Sequence, residues 1–255
     1  MSDIVATREE GVLILELASK SNTFTYSLLE TLEMWLQQAE NDHSLHAIII
    51  TGRGKMFSAG GDLNEMLSEI EAGRKAGYVR NIVPLVNRVI RLILSHPLPI
   101  IVALNGSVAG GAISILLAAD HRVAVSKAKI AFAFGSLSLT PDSGTSVLVP
   151  YFLGVNFSTA AFSKAEIHSV NDLAPNLFDE IVESKEELLV VARKIADTYK
   201  NVDRWVFWKT KSLVRSPLIE RFDKQSELEL KMIQTACERD QFEIKLRKMI
   251  DRLAT

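Results

Sequence analysis

A chain of 255 residues, 47% hydrophobic and 24% charged, can bury a full-sized core as one large domain or one domain with an appendage. Its formal net charge of −2 gives no reason to expect nucleic acid or an anionic membrane as partner. A single cysteine, Cys237, excludes an internal disulfide and a thiolate metal cluster.

In chain order, the amino terminus Met1-Ser2-Asp3 lacks the basic and apolar regions of a signal peptide. Val12 to Leu17 reads as a strand, and residues 27–41 carry apolar side chains at helical spacing. Ala47-Ile48-Ile49-Ile50 reads as a buried strand, followed by a glycine segment, Phe57-Ser58-Ala59-Gly60-Gly61-Asp62, and a helix beginning near Leu63. A second helix is expected over 79–94, kinked early at Pro84. Next comes the strand Ile100 to Leu104, entered through Pro97 and Pro99, and a second glycine segment, Asn105-Gly106-Ser107-Val108-Ala109-Gly110-Gly111. The longest apolar run, 112–119, is far too short to span a membrane and reads as a buried helix before the strand 122–125. Strands separated by helices in this way imply parallel crossovers and an α/β core.

Near residue 185 the composition shifts, and 185–254 reads as almost entirely helical, punctuated at Ser216-Pro217. The expected division is a core over 1–190 and a helical region over 191–255 that packs on the core or on a neighbouring subunit. Trp205, Phe207 and Trp208 fall in that region and read as core or interface packing. The carboxyl-terminal Arg252-Leu253-Ala254-Thr255 is not a Ser-Lys-Leu-type address, so a cytoplasmic location is expected.

The chemistry is concentrated in the glycine segments. Each follows a buried strand, and glycine lets a backbone N–H approach another group with no Cβ in the way. Gly61 and Gly111 can therefore aim two amides at one oxygen, the arrangement of an oxyanion hole. The five histidines, His43, His46, His96, His121 and His168, show no metal-ligand spacing, and no metal site is expected. No phosphate-cradling or dinucleotide fingerprint occurs either.

With these two segments and Asn22 followed by Ser27-Leu28-Leu29, the chain resembles the crotonase superfamily of enoyl-CoA hydratases and isomerases. The resemblance runs from about residue 4 to the end and is strongest over 46–66 and 99–154. It implies a spiral of ββα units with C-terminal helices that build a homotrimer or a dimer of trimers. It also implies an acyl-CoA thioester as substrate, with no separate cofactor. The thioester oxygen would lie between the amides of Gly61 and Gly111, and the adenine near Ala59, Asp62 and Leu63.

The two glutamates with which hydratases of the family split water have Ser114 and Phe134 at their positions, so hydration is not expected. Both residues are taken to line the substrate site, with Phe134 as an apolar, dry wall. One acid remains nearby, Asp142 in the Pro-Asp-Ser-Gly turn, where single-carboxylate isomerases of the family carry theirs. Two roles are open to it: capping the helix that follows, or acting as base. The catalytic role is preferred, which makes the chain an isomerase of 3-enoyl-CoA to 2-enoyl-CoA. The rivals are a ring-type isomerase, an inert acyl-CoA-binding protein, and a haloaryl-CoA dehalogenase. The last needs a histidine that 79–94 lacks.

Overall fold

A computed structural model of the chain describes residues 3–173 and 177–254. The chain opens with β1 (Ile4–Glu9), β2 (Val12–Leu17), β3 (Thr23–Phe24), α1 (Tyr26–Glu40) and β4 (Ala47–Gly52). The first glycine segment supplies β5 (Met56–Ser58) and β6 (Gly60–Gly61), followed by α2 (Leu63–Glu71) and α3 (Gly77–Ser95). The second follows β7 (Ile100–Leu104) and includes β8 (Ser107–Ala109) before α4 (Ile113–Ala118). Then come β9 (His121–Val125), β10 (Lys129–Ala131), α5 (Thr145–Leu153), α6 (Val155–Lys164), β11 (Ile167–Ser169), α7 (Val170–Leu173) and β12 (Glu180–Val182). Three helices close the chain: α8 (Lys185–Asp197), α9 (Arg204–Cys237) and α10 (Asp240–Ala254).

The principal sheet has the order β1-β2-β4-β7-β9-β12, and only the β1–β2 hairpin is antiparallel. Its central strands carry Ile48–Ile50 and Ile100–Leu104, buried on both faces as parallel crossovers require. A second sheet, β11-β10-β8-β5, stands beside it, and β3 pairs with β6 as a two-stranded ribbon. From β4 to α5, each turn of the chain contributes a strand to the large sheet, a short strand to the small one, and a helix.

Every residue of α4 is buried, Ser114 included among its apolar neighbours. The helix α3 passes through Pro84 and buries Val79, Ile82, Val83, Val86, Val89, Ile90 and Ile93. A boundary at residue 190 would cut α8, which packs on β4, β7 and β9 and belongs with the core. The composition shift near 185 marks the start of that helix.

The break expected at Ser216-Pro217 does not occur; α9 runs for 34 residues with Pro217 in its interior. Proline removes the N–H that would bond the Leu213 carbonyl. The Ser216 hydroxyl instead donates to that carbonyl, at 3.4 Å. Trp205 and Trp208 lie outside the core of this chain, 64% and 37% exposed. The rest of the helical region folds onto its own core: α9 packs on α3 and α5, and α10 on α2 and the turn 133–137. Phe222, Phe242 and Leu246 are fully buried there.

Candidate active site

Side-chain amides hold the two glycine segments together. The Asn105 carboxamide accepts from the Gly52 N–H at 2.9 Å and donates to the Gly54 carbonyl at 3.3 Å. The Asn22 amide donates to the Phe57 carbonyl at 3.0 Å, and the Ser58 hydroxyl returns a bond to the Asn22 carbonyl at 2.6 Å. Parallel pairing of β5 with β8 then brings the segments side by side. Gly60 has φ +78°, and a Cβ there would sit 2.6 Å from the Ala109 carbonyl oxygen of the other segment. Only glycine fits both the conformation and the gap.

In the first segment the amides around Gly61 are engaged. Ala59 N–H bonds the Ser21 carbonyl, Gly60 N–H the Ser58 hydroxyl, and Asp62 N–H the Tyr78 hydroxyl at 2.9 Å. Tyr78, fully enclosed by α3 and its neighbours, donates onward to the Phe24 carbonyl at 2.6 Å, and burial pushes its phenol well above the ordinary value. This buckle on the Gly61 turn was not legible in the sequence, since a tyrosine in an apolar helix reads as packing. Asp62 caps α2 through the Asn64 and Glu65 amides and accepts from the Thr23 hydroxyl at 2.9 Å. Ala59 and Leu63 flank it, each half-buried. Gly61 faces the Met66 methyl, 2.5 Å from where a Cβ would stand.

The second segment meets the acid turn. A Cβ placed on Gly111 would lie 3.0 Å from Asp142 Oδ1 and 2.8 Å from Ser143 Oγ. Asp142 is buried, and desolvation together with the neighbouring Glu229 carboxylate pushes its carboxyl up to about 7, against a smaller opposing pull from the Ser143 hydroxyl.

Asp142 does not cap α5. That helix begins after Gly144, and the Gly144 and Ser146 amides donate to Glu229 at 2.6 and 2.8 Å. Glu229 comes from α9, 83 positions away from Ser146, and nothing in the local sequence marks it.

Ser114 is fully buried and gives its hydroxyl to the Gly111 carbonyl, so it braces the glycine turn and has no hydroxyl hydrogen left for a ligand. Phe134 is buried edge-on against Phe162, ring centroids 5.6 Å apart.

The histidines lie elsewhere. His96 is fully buried between the Leu36 carbonyl and the Leu98 amide, and burial lowers it to about 4. His121 bridges Asp179 and Tyr199, and His168 pairs with Glu166. Among the described residues no group of three His, Cys, Asp or Glu is placed to hold a metal. Cys237 is buried near Asp142, its thiol pushed up to about 12 by desolvation and by that carboxylate. A surface cavity of about 760 Å³ opens beside Gly11, His46, Pro99, Tyr199 and Arg204, and shares no residue with the glycine segments or the acid turn.

Residues 7–253 match the family model described as enoyl-CoA hydratase/isomerase. The chain belongs to the enoyl-CoA hydratase/isomerase family. Within this family it is 32% identical over 159 residues to the trans-2-decenoyl-[acyl-carrier-protein] isomerase of Streptococcus mutans, covering 62% of this chain and 60% of that protein. It is 31% identical over 156 residues to the 1,2-epoxyphenylacetyl-CoA isomerase of Escherichia coli, covering 60% of this chain and 59% of that protein. The matches thus span about three fifths of the length of these relatives. An enoyl-CoA hydratase crystal structure from Bacillus halodurans superposes with a TM-score of 0.89 at 22% identity, over 97% of this chain and 100% of that one. The crotonase fold is therefore that of this chain, with its helical C-terminal region. No helix among the described residues is long and apolar enough to cross a membrane.

Proposed function

We propose that this enoyl-CoA hydratase/isomerase family member moves the double bond of an enoyl thioester, converting a 3-enoyl-CoA to the 2-enoyl-CoA. Asp142, ionised, takes a proton from the α-carbon, and the electron pair of that C–H bond passes into a dienolate on the thioester oxygen. The Gly61 and Gly111 amides hold that oxygen, each such donor being worth roughly 3 kcal/mol in comparable sites. The carboxyl group then delivers the proton to the γ-carbon, the double bond settles between the α- and β-carbons, and the carboxylate is regenerated. One base serves both carbons because they lie on one face of a short allylic unit.

The observation that carries this reading is the Asp142 carboxyl: buried, against Gly111, and released from helix capping by Glu229. Desolvation makes it a stronger base than an exposed aspartate. Ser114 and Phe134 offer no carboxylate to activate water, which argues against hydration. The isomerase names of the bacterial relatives support the same choice, although hydratase names also occur among the matches. The adenine would lie beside Ala59, Asp62 and Leu63. Because the Asp62 carboxylate is occupied, backbone groups would make its polar contacts. Assembly as a homotrimer or dimer of trimers, in the cytoplasm and without a separate cofactor, completes the proposal.

The test is exchange of the substrate α-proton for deuterium by wild type and Asp142→Asn. Exchange is expected to fall by roughly 10²–10⁴-fold in the variant, the usual worth of a positioned base. Efficient hydration of a 2-enoyl-CoA by wild type would overturn the reading.

A further inference from the structure

The turn that carries Asp142 is held in an unfavourable shape by a residue far away in the chain. Ser143 and Gly144 take consecutive left-handed conformations, φ +56° and +78°. A serine rarely adopts that shape unless its surroundings impose it. What grips the turn is the Glu229 carboxylate, 4% exposed, which accepts from Gly144 N–H at 2.6 Å and Ser146 N–H at 2.8 Å. Both bonds are charge-assisted and lie at the positive end of α5.

Gly144 can carry no capping side chain of its own, since its φ is +78° and a Cβ there would lie 2.1 Å from the Phe222 ring, so the first amides of α5 are capped from another element. The group that reaches them is a carboxylate, which does more than cap: when ionised it places a negative charge beside Asp142. The groups acting on Asp142 from the elements around it are Glu229 of α9, Ser143 of its own turn, Tyr78 of α3 and Cys237 at the end of α9. Tyr78 and Cys237 both hold their protons at neutral pH. Glu229 is the one other carboxylate in this set: burial raises it above the ordinary glutamate value, while the Gly144 and Ser146 amides that it accepts from favour its ionised form.

We propose that Glu229 is the positioning residue of the site, fixing the Asp142 turn against Gly111 through two backbone amides and strengthening Asp142 as a base through its charge. The inference rests on Asp142 being the base and adds the residue that sets its strength and aim. It implies that the α9 helix, which carries Glu229, is part of the active site of its own chain.

Two readouts separate this inference from the isomerase reading. The first is the infrared carboxyl band of the protonated acid that Asp142→Asn abolishes, followed against pH in wild type, Glu229→Gln and Glu229→Asp. In Glu229→Gln the midpoint of that band is expected to fall by about one pH unit or more, as loss of a like charge requires. In Glu229→Asp it is expected to remain raised, because the charge persists. An unmoved midpoint in Glu229→Gln overturns the proposal, even if the melting temperature drops. Should Glu229→Gln not fold, a Glu229→Asp midpoint at the ordinary aspartate value would overturn it equally.

The second readout is α-proton exchange with a 3-enoyl-CoA. Glu229→Asp, one methylene short of the turn, is expected to lose about tenfold or more at saturating substrate with little change in KM. Wild-type exchange rates in that variant would remove the positioning role. Absence of exchange in wild type would instead overturn the isomerase reading, and the infrared result would still decide the coupling.

Discussion

At the scale of single residues, burial of Asp142 has a measurable cost. The unfolded chain releases this proton near the ordinary aspartate value of about 3.9, whereas the folded chain holds it to about 7. Between those values the folded state binds more protons, so stability falls as pH rises, by roughly 1.4 kcal/mol per pH unit at most. Asp142→Asn removes that loss. The variant is expected to melt higher than wild type above pH 7, with the gap closing towards pH 4, in calorimetric scans across that range. A variant less stable than wild type at pH 8 would contradict the buried, unpaired carboxylate.

Gly111 answers to a different constraint. Any Cβ there meets Asp142 Oδ1 and Ser143 Oγ at 3.0 and 2.8 Å. Gly111→Val is therefore expected to displace the acid and crowd the oxygen-binding amide together, lowering kcat by roughly 10²–10³-fold or more. Circular dichroism should remain close to wild type. Unchanged turnover would remove Gly111 from the site.

At the scale of elements, α9 is fastened to the core by cations set against the carboxyl ends of other helices. Arg204 donates to the carbonyls of Ala39, Glu40 and Asp42 at the end of α1. Arg215 does the same for Ala118 and Ala119 at the end of α4. Between them Lys211, buried and pushed down to about 8 by desolvation, pairs with Asp120 at 2.7 Å, which also binds Arg215 at 2.9 Å.

Such a cluster costs stability mainly when it is broken. Asp120→Ala leaves two cations without their carboxylate and is expected to destabilise the chain by about 3–5 kcal/mol in urea titrations. Glu229 rides on the same helix, so loosening α9 should also slow α-proton exchange.

At the scale of the whole molecule, one chain leaves apolar surface uncovered. Trp205, Leu213 and Val214 of α9 are 64%, 78% and 68% exposed, whereas Phe222 and Ile233 of α9 and Phe242 and Leu246 of α10 are buried. Exposed apolar side chains in this number are what the proposed assembly would cover. Sedimentation is expected to give a mass three or six times the 28.3 kDa of one chain, and Trp205→Lys to shift it towards smaller species. A monomer with both tryptophans accessible to quencher would overturn the assembly.

The sequence by itself determined the elements that are long and periodic. Val12 to Leu17, Ala47 to Ile50 and Ile100 to Leu104 carry their own apolar signal, and α1, α3 and α4 follow from spacing and length. It also located both glycine segments by residue type and by the strands before them, although the close approaches that demand glycine, of Ala109 to Gly60 and of Asp142 to Gly111, are tertiary. Only tertiary structure decided the strands of two or three residues, β3, β5, β6, β8 and β10 to β12. Each is too short to have a period and exists because a partner lies alongside.

The same division runs through the site. Asp142 was legible as a turn residue, but whether it caps or is free for chemistry depended on what takes the α5 amides. That group, Glu229, is distant in sequence and adjacent in space, as is the Tyr78 hydroxyl on the Gly61 turn. Proline at 217 misled for the converse reason: a helix breaker yields when packing of α9 on α3 and α5 outweighs one lost hydrogen bond. Local chemistry is written in local sequence, whereas burial and charge at the acid come from residues that meet only in the folded chain.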